Sequence, residues 1–241
     1  MSMSARRVRA VFRKELREYR RNRQIVVSMA VLPLVFSVYP SLQFFALLAA
    51  ASGALLHKQP LIYMLALPAL VPAMVTAYSV AGERQQGTLE PALTTPISAG
   101  EFLLGKALAA FVPSVAVSYV VFGIFTAAIG LFAQPAVTAA ILHGSVLLGQ
   151  ILFTPLVAAL SIWAGIAISA RAIDPRVAAQ LAALASFPLI VVTTVIAVGV
   201  IHVTLGLALV LGVALLLADG LGWRIVSPMF DRERLITGTR R

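Results

Sequence analysis

The chain has 241 residues, of which 60% are hydrophobic and 12% charged, with a formal net charge of +10 and no cysteine. Soluble domains average about 45–50% apolar and about 25% charged residues, so a soluble globular surface is excluded, and so is disorder, which requires a chain poor in apolar residues. What remains is an integral membrane protein, in which the +10 has three readings: nucleic acid, anionic lipid or membrane orientation.

Taken in chain order, residues 4–22 predict an amphipathic helix lying in the membrane interface. Val8, Val11, Phe12, Leu16 and Tyr19 follow the i, i+3, i+4 rhythm and make one apolar stripe. Arg6, Arg7, Arg9, Arg13, Lys14, Arg17, Arg20 and Arg21 cover the rest. The expectation is that the stripe enters the acyl boundary while the basic residues meet anionic headgroups. A polybasic orientation signal is the plainer reading, and the two are compatible. A stripe of this kind followed at once by a membrane span points to lipid and away from nucleic acid. No short apolar stretch ends in a small-residue cleavage site, so a secretory signal is not expected.

Charge then divides the chain. Residues 24–57 and 59–82 carry none, counting His as neutral, and neither do the 64 residues 107–170 or the 42 residues 177–218. About 20 helical residues cross a hydrocarbon core about 30 Å thick. As single helices the two long runs would reach about 96 Å and about 63 Å. Each must therefore fold back, at Gln134-Pro135 and within 199–206 around His202. The first run exceeds one span and is kept as one, with room to tilt or to bend at Pro33 or Pro40. The expected architecture is all-α, with six transmembrane helices in one domain, 1–241. The spans are 24–56, 60–82, 107–133, 136–170, 177–199 and 203–222, with a polar segment at 83–106 and a tail at 223–241.

With the N-terminus inside, 18 of the 19 Lys and Arg residues fall on the cytoplasmic side and only Lys58 outside. The inverted topology would place those 18 outside, so both termini are expected in the cytoplasm. The net charge then resolves into an orientation signal. The localisation is a plasma (inner) membrane with multiple passes.

The one sizeable polar loop between spans runs from Glu83 to Lys106. Leu89, Leu93 and Ile97 recur every four residues, an apolar ridge if the segment is helical. Pro91 suits the first turn of such a helix and Pro96 its end. The loop is too long for a tight connection and too apolar for a solvated tether, so a short docking helix is expected.

This segment resembles the one that follows the second span in permeases of the ABC type-2 exporter family. The residues that carry the likeness are Glu83-Arg84, Gly87-Thr88-Leu89-Glu90, Thr95-Pro96 and Gly105-Lys106. The stretch from Phe12 to Glu18, then Arg20-Arg21-Asn22-Arg23, is similar to that family's amphipathic helix before span one. The likeness implies a permease that pairs as a homodimer or pseudo-dimer and binds a separate cytoplasmic ABC ATPase through the loop after span two, the coupling helix. It places Glu83, Arg84, Gly87, Thr88, Leu89 and Glu90 at that contact, with Leu89 as the apolar anchor, Arg84 and Glu90 as charge partners and Gly87 freeing the turn. Val8, Phe12, Leu16, Arg13 and Lys14 belong to the interfacial helix. The function implied is ATP-driven export by alternating access, with no cofactor in this chain and ATP and Mg held by the partner subunit. The short connection between spans five and six departs from relatives that carry re-entrant helices there.

Other patterns carry less. Residues 100–106 match the spacing of a phosphate-binding loop, but Ala107 stands where a Mg-binding hydroxyl belongs and no strand precedes. Leu215–Asp219 mimics the apolar strand of an ATPase, but is more simply the end of span six, with Asp219 reaching interfacial water near Arg224. His143 and His202 lack both the nucleophile motif of a hydrolase and the partners of a metal cage. Within the spans, Gln43, Gln150, Thr154, Ser161, Gln180, Thr193 and Thr194 are polar. Most such groups hydrogen-bond between helices, and Gln180, Thr193 and Thr194 are the candidates for a translocation path. Gly165 and Ser169 are expected to let a neighbouring helix approach closely. The competing reading is an ion-coupled carrier or channel without an ATPase.

Overall fold

The computed structural model describes residues 3–45, 60–87, 97–133, 135, 138–139, 142, 144–201 and 204–230. Helix α1 (Ala5–Arg21) is followed by α2 (Arg23–Phe45), and a 3-10 turn at Pro60–Leu65 leads into α3 (Ala66–Gln85). Then come α4 (Ala99–Phe132), α5 (Gly144–Arg171), α6 (Pro175–Ala197) and α7 (Leu205–Val226), with a last 3-10 turn at Ser227–Phe230. All regular structure among the described residues is helical. Five stretches are long and apolar enough to cross a membrane: Leu61–Glu83, Ala99–Phe132, Gly144–Arg171, Pro175–Ala197 and Leu205–Met229. Helix α2 contributes a shorter apolar stretch, Ile25–Val38. The molecule is a multi-pass membrane protein.

Local chemistry sets the helix ends. Helix α4 starts at Ala99, eight residues before the span expected at 107, because Ser98 and Glu101 form a capping box: Glu101 N–H donates to Ser98 Oγ and Ser98 N–H to Glu101 Oε2. Asp174 caps α6 by accepting from the Arg176 N–H, with Pro175 in the first turn. Gly199, at φ +84°, turns the chain after α6, and Thr204 caps α7 by accepting from the Leu207 N–H. Two expected spans shift. Helix α5 begins at Gly144 rather than 136, and α7 runs to Val226 rather than 222. Asp219, expected at the end of a span, therefore lies two turns inside α7.

Helix α3 is the buried axis of the bundle. Its small residues Ala73, Ala77 and Ala81 pack on Ala178, Ala179 and Ala182 of α6. On α5, Gly165 sits where a Cβ would come 2.7 Å from the Ala73 carbonyl oxygen. One turn on, the Ser169 hydroxyl donates to the Ala77 carbonyl (2.7 Å) and accepts from the N–H groups of Val80 and Ala81 (3.0 Å each). The Gly165–Ser169 pair thus makes the close α3–α5 crossing expected of it, the glycine by absence of bulk and the serine by inserting into the neighbour's ladder. At the periphery, α7 buries only Val226 and turns Leu209, Val213, Leu216 and Leu217 outward. Such a face suits hydrocarbon and not water.

Candidate functional site

At one end of the bundle, the last turn of α3 and the first turns of α4 hold the two roots of the polar loop. Helix α1 lies across both. Its inward face is Val8, Val11, Glu15 and Tyr19, and all four are buried. The closest approach is at Gly105 of α4, where a Cβ would meet Val11 Cβ at 2.6 Å and the Val8 carbonyl at 3.2 Å. Val11, Phe102, Leu103 and Ala107 belong to one apolar cluster, with Phe12 and Leu16 partly buried against it. The stripe therefore does not enter the acyl boundary as expected. It packs on protein, because Gly105 removes the side chain that would hold α1 away and because a charged residue on that stripe needs a buried partner. Gly105→Val should force α1 off α4. Overpacking of this kind is worth about 1–3 kcal/mol. It is expected to appear as a lower melting temperature in detergent and faster proteolysis within residues 5–21, whereas Gly100→Val, in open space, should show neither.

The buried partner is Lys106, which is fully buried. Its ammonium lies 2.9 Å from Glu15 Oε1, 2.9 Å from Glu83 Oε2 and 2.9 Å from the Ser79 carbonyl oxygen. Two of its three N–H donors bond Glu15 and the Ser79 carbonyl, and Glu83 stands beside it as an ion-pair partner. The Phe102 ring adds a cation–π contact, its centroid 4.9 Å from Nζ. Lys14 completes the group from the half-exposed side: it bonds Glu83 Oε1 and sits 3.3 Å from Glu15 and 3.2 Å from Glu18. Three carboxylates and two ammonium groups thus tie α1, α3 and α4 together.

A second tie lies one turn away. Glu101, buried beneath α1, accepts the Ser4 N–H at 2.7 Å while capping α4, and Arg7 approaches it at 3.5 Å. One carboxylate thereby serves the start of both helices.

The electrostatics follow from these contacts. Burial pushes the Glu15 carboxyl up from its usual range, and Lys106 pulls it back only in part. Burial works against the charge on Lys14, but Glu15, Glu83 and Glu18 outweigh it and hold the ammonium above the ordinary lysine range. Because that folded value is raised, its stabilisation is complete below the ordinary lysine pKa of about 10.4 and fades only as pH climbs past the folded value. Burial, reinforced by the same three carboxylates, pushes the Tyr19 hydroxyl well above the usual phenol range.

A cavity of about 690 Å³ opens beside this joint, between α1, the end of α3 and the α5–α6 turn at Asp174–Arg176.

The predicted contact residues divide around the joint. Glu83 is inside it, Arg84 follows in the last turn of α3, and Gly87 takes φ +67° just beyond, where glycine is favoured. Thr88, Leu89 and Glu90, with Leu93 of the expected ridge, lie outside the described residues. On α1, Val8 is buried, Phe12 and Leu16 are half-buried, Arg13 is exposed and Lys14 joins the ion pairs. The three candidates on α6 do not converge. Gln180 is exposed, Thr193 is buried, and the hydroxyls of Thr193 and Thr194 both donate to the Ile190 carbonyl. Gln180 and Thr193 are about 20 Å apart along the helix.

Sequence reasoning missed Glu15, Lys106 and Glu101 as functional residues. The signals were present. Glu15 is four residues from both Val11 and Tyr19, a charge on an apolar stripe, and Ser98 with Glu101 has capping-box spacing. It also passed over Ser114 and Ser118, which with Gln150, Thr154 and Ser161 are buried polar residues of α4 and α5.

The fold and joint define a polytopic helical membrane protein with an amphipathic helix locked to the roots of a polar loop. A family model described as ABC-2 family transporter protein matches residues 9–218, from within α1 to within α7. The chain belongs to that family and is a permease of an ABC transporter, a membrane subunit of the kind that works with ATPase partners. No curated protein matches it.

Proposed function

We propose that this chain is the membrane half of an ATP-driven exporter, pairing with a second copy and with a separate cytoplasmic ATPase in a plasma (inner) membrane. Helix α2 is the first of six crossings, and the distribution of 18 basic residues sets both termini in the cytoplasm. The ATPase binds the loop between α3 and α4 through Arg84, Gly87, Thr88, Leu89 and Glu90. Glu83, ion-paired within the chain, transmits that contact rather than making it. ATP and Mg belong to the partner, and this chain has a transport role and no catalytic residues. Gln180, Thr193 and Thr194 are assigned to the translocation path, with Gln180 on a face that a second copy can close.

The observation that carries the reading is the joint itself. Both loop roots, Glu83 and Lys106, are bonded to the same carboxylate-bearing helix. A load on the loop therefore moves α1 together with α3 and α4. A nucleotide-driven change in the ATPase can shift the permease only through contacts that differ between its two states, and a rigid loop root passes such a difference on.

The test is ATP hydrolysis by the purified complex in lipid. The ATPase subunit should co-migrate with the permease, and its hydrolysis should respond to the permease. Transport at full rate by the permease alone, driven by an ion gradient, would overturn the reading in favour of a carrier.

A further inference from the structure

We propose that Asp219 is a proton-binding site inside the α7 span, and that its proton decides whether α7 is hydrogen-bonded to Trp163 of α5.

The seam between α5 and α7 holds the two unmade halves of one hydrogen bond. Asp219 lies two turns inside α7, about 10 Å along the axis from its last residue. Its Oδ1 is buried and finds no hydrogen-bond partner among the described residues, and the same holds for Nε1 of Trp163. The first is an acceptor and the second a donor. Buried polar atoms without partners are uncommon and costly. Gly222 brings these two to one place. It stands three residues after Asp219, on the same face of α7. A Cβ there would come 2.7 Å from Trp163 Cδ1, the ring carbon bonded to Nε1. Trp223 closes the seam, its ring edge-on to Trp163 with centroids 5.6 Å apart.

Two atoms this enclosed leave no room for a molecule, but a proton needs none. A carboxylate inside hydrocarbon with an unbonded oxygen is far costlier than a neutral carboxyl in the same place. The arrangement seen therefore suits the protonated acid. Ionised, the carboxylate needs a donor, and the indole N–H of Trp163 is the one at hand. A rotamer change or a small slide of α7 makes that bond, which is charge-assisted and so stronger than a neutral one. Helix α7 can respond because little else fixes it. Val226 is its one buried residue, and it packs chiefly on α5 and on the turn Ser227–Phe230. No other titratable group on these elements competes. On α5 there is only Arg171, at the exposed end about 12 Å beyond Trp163, and the turn carries none. On α7 there is only Arg224, exposed and five residues from Asp219, about 140° round the helix.

The chain has two tryptophans, both at this seam, so Trp223→Phe leaves Trp163 as the sole reporter. The experiment is the fluorescence of that variant in mild detergent from about pH 3 to about pH 9, with backbone hydrogen exchange of α7 measured on the full chain over the same range. Emission should follow a single-proton transition. Protection of the α7 amides, corrected for the pH dependence of exchange itself, should rise through it by at least about tenfold, the effect of one charge-assisted hydrogen bond. Asp219→Asn keeps the shape but cannot titrate, so it should abolish both changes, whereas Asp219→Glu should keep the transition. Trp163→Phe deletes the donor and should abolish the rise in α7 protection. Emission that stays flat with Asp219 present, or a transition that survives Asp219→Asn, would overturn the proposal. So would a rise in α7 protection that persists in Trp163→Phe, which would assign the effect to a different donor.

Discussion

Lys106→Met is expected to be the most damaging single substitution at the joint between α1, α3 and α4. It removes the ammonium that bonds Glu15, Glu83 and the Ser79 carbonyl and leaves a carboxylate at 1% exposure without its main counter-charge. Breaking a buried ion group by deleting one partner costs about 3–5 kcal/mol, mostly because of the charge left behind. Lys14 cannot make good the loss, because it already serves Glu83 and Glu18 as well as Glu15. The double variant Lys106→Met, Glu15→Met removes both members of the pair and leaves the Lys14–Glu83 bond intact, so it should recover most of the stability. The measurement is thermal melting of single and double variants in the same detergent, with proteolysis of α1 as a local readout. A single variant as stable as the wild type would show that Lys106 is not the buried centre of the joint.

The second large effect lies in the loop. Leu89→Arg combined with Glu90→Lys should abolish the association with the ATPase subunit while the membrane fold survives. An interface anchor of this kind carries about 2–4 kcal/mol, and placing an unpaired charge at a buried contact adds to the loss. Together they weaken binding by at least about a hundredfold. The fold is expected to survive because the joint between α1, α3 and α4 is built on Glu15, Glu83, Glu101 and Lys106, which these substitutions leave in place.

The two variants therefore separate two roles. Lys106→Met attacks the root of the loop and should lower stability and coupling together. The Leu89 and Glu90 substitutions fall between the roots and should lower coupling alone.

How far the sequence speaks differs between these features. The membrane class, the helical architecture and the crossings of α3 to α7 follow from uncharged runs, because length and charge alone decide what hydrocarbon admits. The Gly165–Ser169 crossing was legible from spacing. Gly105-Lys106 was visible as a pattern but not as a mechanism. The need for glycine lies in Val11 and that for lysine in Glu15 and Glu83, all more than 20 residues earlier in the chain. The packing of the α1 stripe was not legible for a related reason. A stripe of valine, phenylalanine and leucine packs equally well on lipid or on protein, and only the acid within it favours protein. At Asp219 charge does not mark the end of the helix, since α7 continues for seven residues beyond it.

The central claim is that a loop rooted in this ion-paired joint couples the permease to an ATPase. Its most direct test is the affinity of the ATPase subunit for the purified permease in mild detergent, wild type against Leu89→Arg, Glu90→Lys, with transport scored in cells carrying each. The account predicts a loss of at least about a hundredfold in affinity, with transport abolished and the melting temperature unchanged. Transport at the wild-type rate with no ATPase bound would contradict it.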